Sequence, residues 1–133
     1  MIVLIDTNIL ISAALNPNGS PFKAYVKAVS YPNQAIICEQ NIDELRRIFN
    51  RKFANKLNVL EEFLALSLPV LKIVPTPESI YESEEKIRDV MDRAILRAAI
   101  NADADILLTG DKDFLESGIE NPKIMTAAEF LDL

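Results

Sequence analysis

Acidic side chains follow two short apolar segments of this sequence, where a carboxylate could reach a shared site. Asp6 follows the run Ile2–Ile5, and Asp111 and Asp113 follow Ile106–Leu108 across a Thr-Gly turn. Apolar runs of this kind, rich in β-branched residues, predict strands that are buried on both faces of a parallel sheet. Simpler roles exist, since Asp6 could cap a helix and Asp111 could form a turn. The choice depends on which other acids lie nearby.

Two further acids lie near the starts of predicted helices. Glu44 belongs to the helix after the second predicted strand, and Asp92 lies in the first turn of the helix before the strand that ends near Asp111. Helix starts and strand ends face the same edge of such a sheet, so four segments direct acids to one place. Alternatives remain open, because Glu44 could pair with Arg47 at i,i+3 spacing. Asp92 could complete a weak capping box with Asp89.

Clustered carboxylates repel one another unless a positive charge lies among them. The sequence has no histidine, which excludes imidazole catalysis and histidine metal ligands. It has one cysteine, Cys38, at the end of an apolar run, where a buried structural thiol is expected. A hard divalent cation, Mg²⁺ or Mn²⁺, fits the remaining oxygen ligands. We therefore predict a metal site whose ligands are Asp6, Glu44, Asp92 and Asp111.

The composition is that of a globular protein. Half of the 133 residues are hydrophobic and 26% are charged, and this length fits a single domain over residues 1–133. No basic and apolar leader follows Met1, and no apolar run approaches the roughly 18 residues of a membrane span. We therefore expect a cytoplasmic protein with no membrane segment.

Strand and helix patterns alternate along the chain, which predicts an α/β fold with helices on both faces of a mainly parallel sheet of four to five strands. Predicted strands cover residues 2–5, 35–38, 70–74, 105–108 and 123–125. Predicted helices cover residues 20–30, 41–68 with a break near 55–58, 76–86, 90–101 and 127–131.

Charge is distributed unevenly along the chain, whose net charge is −6. A basic run without acids follows Glu44 and comprises Arg46, Arg47, Arg51, Lys52 and Lys56. It could approach RNA phosphates next to the metal site, or it could be a solvated helix face. Arg93 and Arg97 flank Asp92 and could either bind phosphate or pair with the acids. The acidic group Glu78, Glu82, Glu84 and Glu85 is interpreted as a solvated helix face.

Four segments of the sequence together resemble the PIN domain family over essentially the whole chain. They read LIDTNIL, EQNIDELRRIF, RDVMDRAILRAA and LLTGDKDF, and they are most similar to VapC-like toxins of type II toxin–antitoxin pairs. The resemblance implies a three-layer α/β/α fold and a metal-dependent ribonuclease that hydrolyses RNA phosphodiester bonds. It also implies a small protein antitoxin as partner and a homodimer, for which we favour the apolar helical surface around residues 53–68.

The resemblance also assigns residues. It implies that the family's acidic quartet corresponds to Asp6, Glu44, Asp92 and Asp111. Asn8 and Thr109 match flanking polar residues, and Asp113 matches an accessory acid. Related proteins often read Arg-Asp-Pro-Asp-Asp where residues 88–92 read Arg-Asp-Val-Met-Asp, so no role is assigned to Asp89.

Two other functions remain possible at this point. A catalytically weak or inactive module of the same fold would bind RNA or protein without cleaving it, although the intact acidic quartet disfavours this reading. A metal-dependent phosphatase of the haloacid dehalogenase type also begins with a strand that ends in Asp. That class requires a second Asp two residues later, and this chain has Asn8 there.

Overall fold

The computed structural model describes all 133 residues and has a sheet of five parallel strands at its centre. The strands are β1 (Ile2–Ile5), β2 (Gln34–Cys38), β3 (Lys72–Val74), β4 (Ile106–Leu108) and β5 (Lys123–Met125). Their order across the sheet is β3-β2-β1-β4-β5, and every neighbouring pair is parallel. The predicted α/β class and parallel sheet are confirmed.

Seven α-helices connect and cover the strands. They are α1 (Thr7–Leu15), α2 (Ser20–Val29), α3 (Glu39–Lys52), α4 (Leu57–Ser67), α5 (Val90–Asn101), α6 (Lys112–Leu115) and α7 (Ala127–Leu131). Two short 3-10 helices cover Ala54–Lys56 and Glu82–Lys86. None of the helices has both the length and the apolar character needed to span a membrane.

The strands bury side chains on both faces, and this produces the three layers. Val3 and Ile5 of β1 belong to one apolar core, which α1, α2, α3, α4 and α7 complete. Leu4 belongs to a second core on the opposite face, where Ile95 of α5 and Phe114 of α6 pack. Alternation of side chains along a strand sends neighbours to opposite faces. The continuous apolar runs are therefore buried on both sides.

The strand order reverses beside β1. From β1 the chain adds β2 and β3 on one side of the sheet and then β4 and β5 on the other. The carboxyl ends of β1 and β4 are adjacent there, and the backbone N–H of Asp6 donates to the carbonyl of Leu108 over 2.9 Å. A reversal of this kind opens a crevice beyond the strand ends, which is where ligands bind in open α/β sheets.

Helices α1 and α6 were not predicted, one predicted helix is largely absent, and the strand predicted over residues 70–74 begins only at Lys72. Helix α1 was not predicted, although Asp6 was considered as a helix cap, because the six apolar residues of Thr7–Leu15 do not form a helical stripe. The helix expected over residues 76–86 is wrong, because only Glu82–Lys86 is helical, as a 3-10 turn. Residues 75–81 are not helical, and the carbonyl of Pro77 accepts a hydrogen bond from Nη1 of Arg97 over 3.2 Å.

The solvated role expected for Glu84 is also wrong. Its residue is only 1% exposed, and its carboxylate accepts hydrogen bonds from Nε and Nη2 of Arg97 over 3.0 and 2.8 Å. It also accepts from the backbone N–H of Tyr81 over 2.7 Å. Arg97 lowers the pKa of Glu84. This ion pair fastens the segment before α5 to the body of that helix.

Candidate active site

Asp6 lies at the end of β1, in the crevice where the strand order reverses. The residue is 3% exposed, and its Oδ1 accepts from the backbone N–H of Thr7 over 2.8 Å, so it does cap α1. Its Oδ2 accepts from the Thr109 hydroxyl over 2.7 Å and from Nδ2 of Asn8 over 3.1 Å. Three donors thus fix the orientation of one buried carboxylate.

Thr109 and Asn8 join the ends of β1 and β4. The Thr109 oxygen accepts from Nδ2 of Asn8 over 3.2 Å and from the backbone N–H of Asp111 over 3.0 Å. Oδ1 of Asn8 accepts from the backbone N–H of Gly110 over 2.9 Å. The turn after β4 is therefore held against β1 by side chains of both segments, and Asp111 emerges from that turn towards Asp6.

The four predicted acids line one cavity of about 300 Å³ at this edge of the sheet. Its lining includes Asp6, Glu44, Asp92 and Asp111, together with Asp89, Asn8, Arg47 and Arg51. These acids lie at the starts of three helices and on the side of a fourth. Asp6, Asp89 and Asp111 are the N-caps of α1, α5 and α6, whereas Glu44 lies in the second turn of α3.

Asp92 has the least favourable surroundings for a charged carboxylate. The residue is 7% exposed, and no N–H or hydroxyl of the protein donates to its side chain. Burial, together with the negative charges of Asp6 and Asp111, raises the pKa of Asp92 to about 8. An ionised Asp92 is therefore unstable in the metal-free protein, and a cation in the cavity would remove this penalty.

Asp6 shows the same conflict to a smaller degree. Burial raises the pKa of Asp6 to about 6, against the hydrogen bonds from Thr109 and Thr7 that favour its charged form. The charges of Glu44 and Asp111 contribute to this rise. The charge of Asp111 raises the pKa of both Asp6 and Asp92. The two buried aspartates therefore belong to one electrostatic cluster.

Sequence reasoning left Asp89 without a role, and the structure brings it into the site. Carboxylate oxygens of Asp89, Asp92 and Asp113 lie within 4.8 Å of one another. Asp89 caps α5 by accepting from the backbone N–H of Met91 over 2.9 Å. The signal that could have identified it is its position one turn before Asp92, on the same side of the helix start. Met91, which lies between Asp89 and Asp92 in the chain, is 64% exposed.

The donor set suits a hard divalent cation. Every side chain that could coordinate a cation in the cavity offers carboxylate or amide oxygen, and Mg²⁺ and Mn²⁺ prefer such ligands. The buried Asp92 without a donor is an acceptor that such a cation would satisfy. The residues present therefore fit the predicted metal.

The basic residues divide into those that face the cavity and those that do not. Arg47 and Arg51 line it, and Arg47 lies 3.8 Å from Glu44. Arg46 instead pairs with Glu61 over 2.6 Å at the surface. Arg93 donates from Nε to the carbonyl of Ile87 over 3.0 Å, which fixes the start of α5. Lys52 is exposed at the end of α3, outside the cavity lining.

The buried side chain of Asn41 forms hydrogen bonds next to the site that were not predicted. Asn41 is fully buried, its Nδ2 donates to the Thr7 hydroxyl over 3.1 Å, and its Oδ1 accepts from the backbone N–H of Cys38 over 2.9 Å. The end of β2 is thereby tied to the start of α1. Burial raises the pKa of the Cys38 thiol, in keeping with its expected structural role.

The fold and the site define the class of protein first: a doubly wound, three-layer α/β protein with a carboxylate cavity where its strand order reverses. The sequence profile of the PIN domain family matches residues 2–113, and the chain belongs to that family. PIN domains are in general nucleases. The resemblance seen in the four sequence segments is confirmed.

Individual proteins similar to this chain cover nearly its full length. An uncharacterized protein of Methanocaldococcus jannaschii, MJ1680, is 29% identical over 144 aligned residues, which cover 98% of this chain and 89% of that protein. The crystal structure of VapBC2 from Rickettsia felis, bound to a DNA fragment from its promoter, matches with a TM-score of 0.70 and 20% identity. The crystal structure of FitAcB from Neisseria gonorrhoeae matches with a TM-score of 0.67 and 23% identity. Each match covers 95% of this chain and 98% of the other, and these two structures show the likeness of the fold.

Proposed function

We propose that this protein is a Mg²⁺- or Mn²⁺-dependent endoribonuclease and the toxin of a toxin–antitoxin pair. The observation that supports the nuclease most directly is the convergence of Asp6, Glu44, Asp92 and Asp111 on one cavity. Two of these carboxylates have strongly raised pKa values without a cation. Membership of the PIN domain family supports the same chemistry.

In this proposal Asp6, Asp92 and Asp111 would hold the metal, and Glu44 would act on it directly or through water. The bound metal would activate a water molecule for in-line attack on a phosphodiester and stabilise the charge that develops on the leaving oxygen. The chain's own contribution is orientation. Thr109 holds Asp6 in place over 2.7 Å, and Asn8 fixes the turn that presents Asp111.

RNA would approach the cavity from the side of α3. Arg47 and Arg51 are the two basic side chains in the cavity lining, and they would bind phosphates next to the cleaved bond. Arg46, Lys52 and Arg93 have other positions or partners in the structure, so their predicted part in RNA binding is restricted to long-range attraction.

The proposal of a protein partner is supported by the two similar crystal structures, VapBC2 and FitAcB. A small antitoxin would place a basic side chain in the acidic cavity, because four carboxylates attract a guanidinium as they attract a metal. A homodimer through the surface around residues 53–68 remains part of the proposal. Leu57, Leu66 and Leu68 are exposed there.

The test is cleavage of a labelled single-stranded RNA by purified protein with Mn²⁺, Mg²⁺ or EDTA. Glu44→Gln should reduce cleavage by about 100-fold or more, since it alters the metal site. Asp43→Asn is the matched control, because Asp43 is the preceding, exposed residue of α3 and its loss also removes one negative charge. Cleavage should require the metal and survive in Asp43→Asn.

Three outcomes would contradict the proposal. RNA binding without cleavage, unchanged by metal, would favour the inactive binding module. Metal-dependent release of phosphate from monoesters without RNA cleavage would favour a phosphatase. Equal cleavage by Glu44→Gln and the wild type would remove Glu44 from the site.

A further inference from the structure

Arg88 lies beside the acidic cavity and has no part in the proposed function above. Its Nη2 contacts Oδ1 of Asp113 over 2.8 Å and Oε2 of Glu116 over 3.5 Å. Arg88 also directly precedes Asp89, the cap of α5. One guanidinium thus connects the start of α5 with the start of α6, next to the acids that both helices present.

Asp113 is the point where this guanidinium and the acidic cluster meet. Carboxylate oxygens of Asp113, Asp89 and Asp92 lie within 4.8 Å of one another, a spacing at which one cation could contact all three. Asp92 is only 7% exposed, no N–H or hydroxyl donates to its carboxylate, and its hydrogen-bonding neighbour is another acid, Asp111, which is an independent sign that this group lacks a cation. Of the three acids in this cluster, Arg88 forms an ion pair with Asp113 alone, and its other partner, Glu116, lies outside the cluster.

We propose that Arg88 is an internal competitor of a divalent cation at the cluster of Asp89, Asp92 and Asp113. A guanidinium in contact with Asp113 repels a divalent cation that approaches the same carboxylates. Asp113 therefore contributes little to metal binding while Arg88 holds it, and becomes a ligand when Arg88 swings away. The inference rests on the proposed metal-dependent function. It adds Arg88 as a residue that limits the binding of a cation by this cluster.

The exposure of the pair allows this exchange. The side chains of Arg88 and Asp113 are 69% and 28% exposed, and that of Glu116 is 61% exposed. Ion pairs at such positions are weak and open readily. The pair of Arg97 and Glu84 differs from it, because Glu84 is only 1% exposed. We expect that buried pair to stay closed in the folded protein.

The experiment is a double-mutant cycle read by Mn²⁺ binding. Free Mn²⁺ gives a six-line electron paramagnetic resonance signal that is lost on binding, so its intensity measures affinity and stoichiometry without any enzymatic assay. The variants are Arg88→Gln, Asp113→Asn and the double variant. The matched control cycle replaces Arg88→Gln by Arg51→Gln, because Arg51 lines the acidic cavity but forms no ion pair with Asp113.

Removing Arg88 should tighten Mn²⁺ binding by about fivefold, the effect of an opposing exposed charge. Asp113→Asn should change binding by less than about twofold in the wild type, and weaken it by about fivefold once Arg88 is gone. The Arg51→Gln cycle should be additive. Additive effects in the Arg88 cycle would overturn the inference and leave the metal site intact. No Mn²⁺ binding by any variant at millimolar concentration would contradict the proposed function itself, and the inference with it.

Discussion

The hydroxyl of Thr109 donates a 2.7 Å hydrogen bond to Oδ2 of Asp6, although 103 positions separate the two residues in the chain. The contact exists because β1 and β4 are neighbours in the sheet, with Ile5 paired to Leu108. It places the turn after β4 next to the end of β1. Asp111 is thereby brought to the cavity that Asp6 lines.

Replacing Thr109 by Val should weaken both folding and the site. The change keeps the shape of the side chain, but it removes one of the two donors to Oδ2 of the buried Asp6 and the acceptor of the backbone N–H of Asp111. We expect a loss of about 1 to 3 kcal/mol in the free energy of unfolding, measured by urea denaturation in EDTA. Thr109→Ser is the control, because it keeps the hydroxyl. Equal stability of the Val variant and the wild type would contradict the role of this hydroxyl.

Replacing Asp92 by Asn should stabilise the metal-free protein at alkaline pH. The folded-state pKa of Asp92 is raised from 3.8 to about 8, so the folded state binds its proton more tightly than the unfolded state does. The stability linked to this proton is fully present below pH 4 and is lost as pH rises through 8. The amide introduced by the substitution has no such proton to lose and can donate to the neighbouring acids.

The difference in free energy of unfolding between Asp92→Asn and the wild type should therefore increase, in favour of the variant, by roughly 2 to 4 kcal/mol between pH 5 and pH 8. Urea denaturation in EDTA at several pH values measures it. Asp43→Asn serves again as the control and should show no such growth, because Asp43 is exposed on α3. A difference independent of pH would mean that Asp92 is ionised throughout this range.

Removing the two basic residues of the cavity should weaken RNA binding more than removing two basic residues elsewhere on α3. Arg47→Gln with Arg51→Gln takes positive charge from the cavity lining. Binding of single-stranded RNA should fall by about tenfold at low salt, and the slope of log K against log salt should become about 1.4 less steep. Fluorescence anisotropy across a salt series measures both.

The matched control is Arg46→Gln with Lys52→Gln, which removes the same charge from the same helix. Arg46 pairs with Glu61, and neither residue lines the cavity. If both double variants lose the same affinity, the basic run attracts RNA only through its net charge.

Breaking the buried pair of Glu84 and Arg97 should destabilise the whole protein. Arg97→Met leaves the carboxylate of Glu84 buried without its charged partner, a change that costs about 3 to 5 kcal/mol. Glu84→Gln together with Arg97→Met should recover much of this loss. Thermal unfolding at pH 7 measures it, and unchanged stability of Arg97→Met would show that Glu84 is not confined as the structure indicates.

The sequence predicted the elements that have a clear period or clear flanking signals. The strand 123–125 and the helices 90–101 and 127–131 match β5, α5 and α7 residue for residue. Helix α1 was missed, because its apolar residues do not form a stripe. The buried role of Glu84 depends on Arg97, thirteen residues later and from a different element, and no local pattern reveals such a partner.

Asp6, Asp92 and Asp111 could be predicted because each follows a strand or lies at the start of a helix. Glu44 was predicted from the helix that follows β2, although it lies in the second turn of α3, and Asp89 was not predicted. The mutual distances of these acids could not be predicted, because they depend on the strand order β3-β2-β1-β4-β5. Asn41 and Thr7 look like ordinary helix-start residues in the sequence. Only the packing of β2 against β1 makes their hydrogen bond a support of Asp6.

The most direct test of the central claim is thermal unfolding of the wild type at pH 7.5 with and without Mn²⁺. If the cluster of buried carboxylates binds a divalent cation, millimolar Mn²⁺ should raise Tm by about 5 °C. Asp92→Asn, despite its higher stability in EDTA, should gain little from Mn²⁺, whereas Asp43→Asn should gain as much as the wild type. An unchanged Tm of the wild type, or an equal gain in Asp92→Asn, would contradict the account.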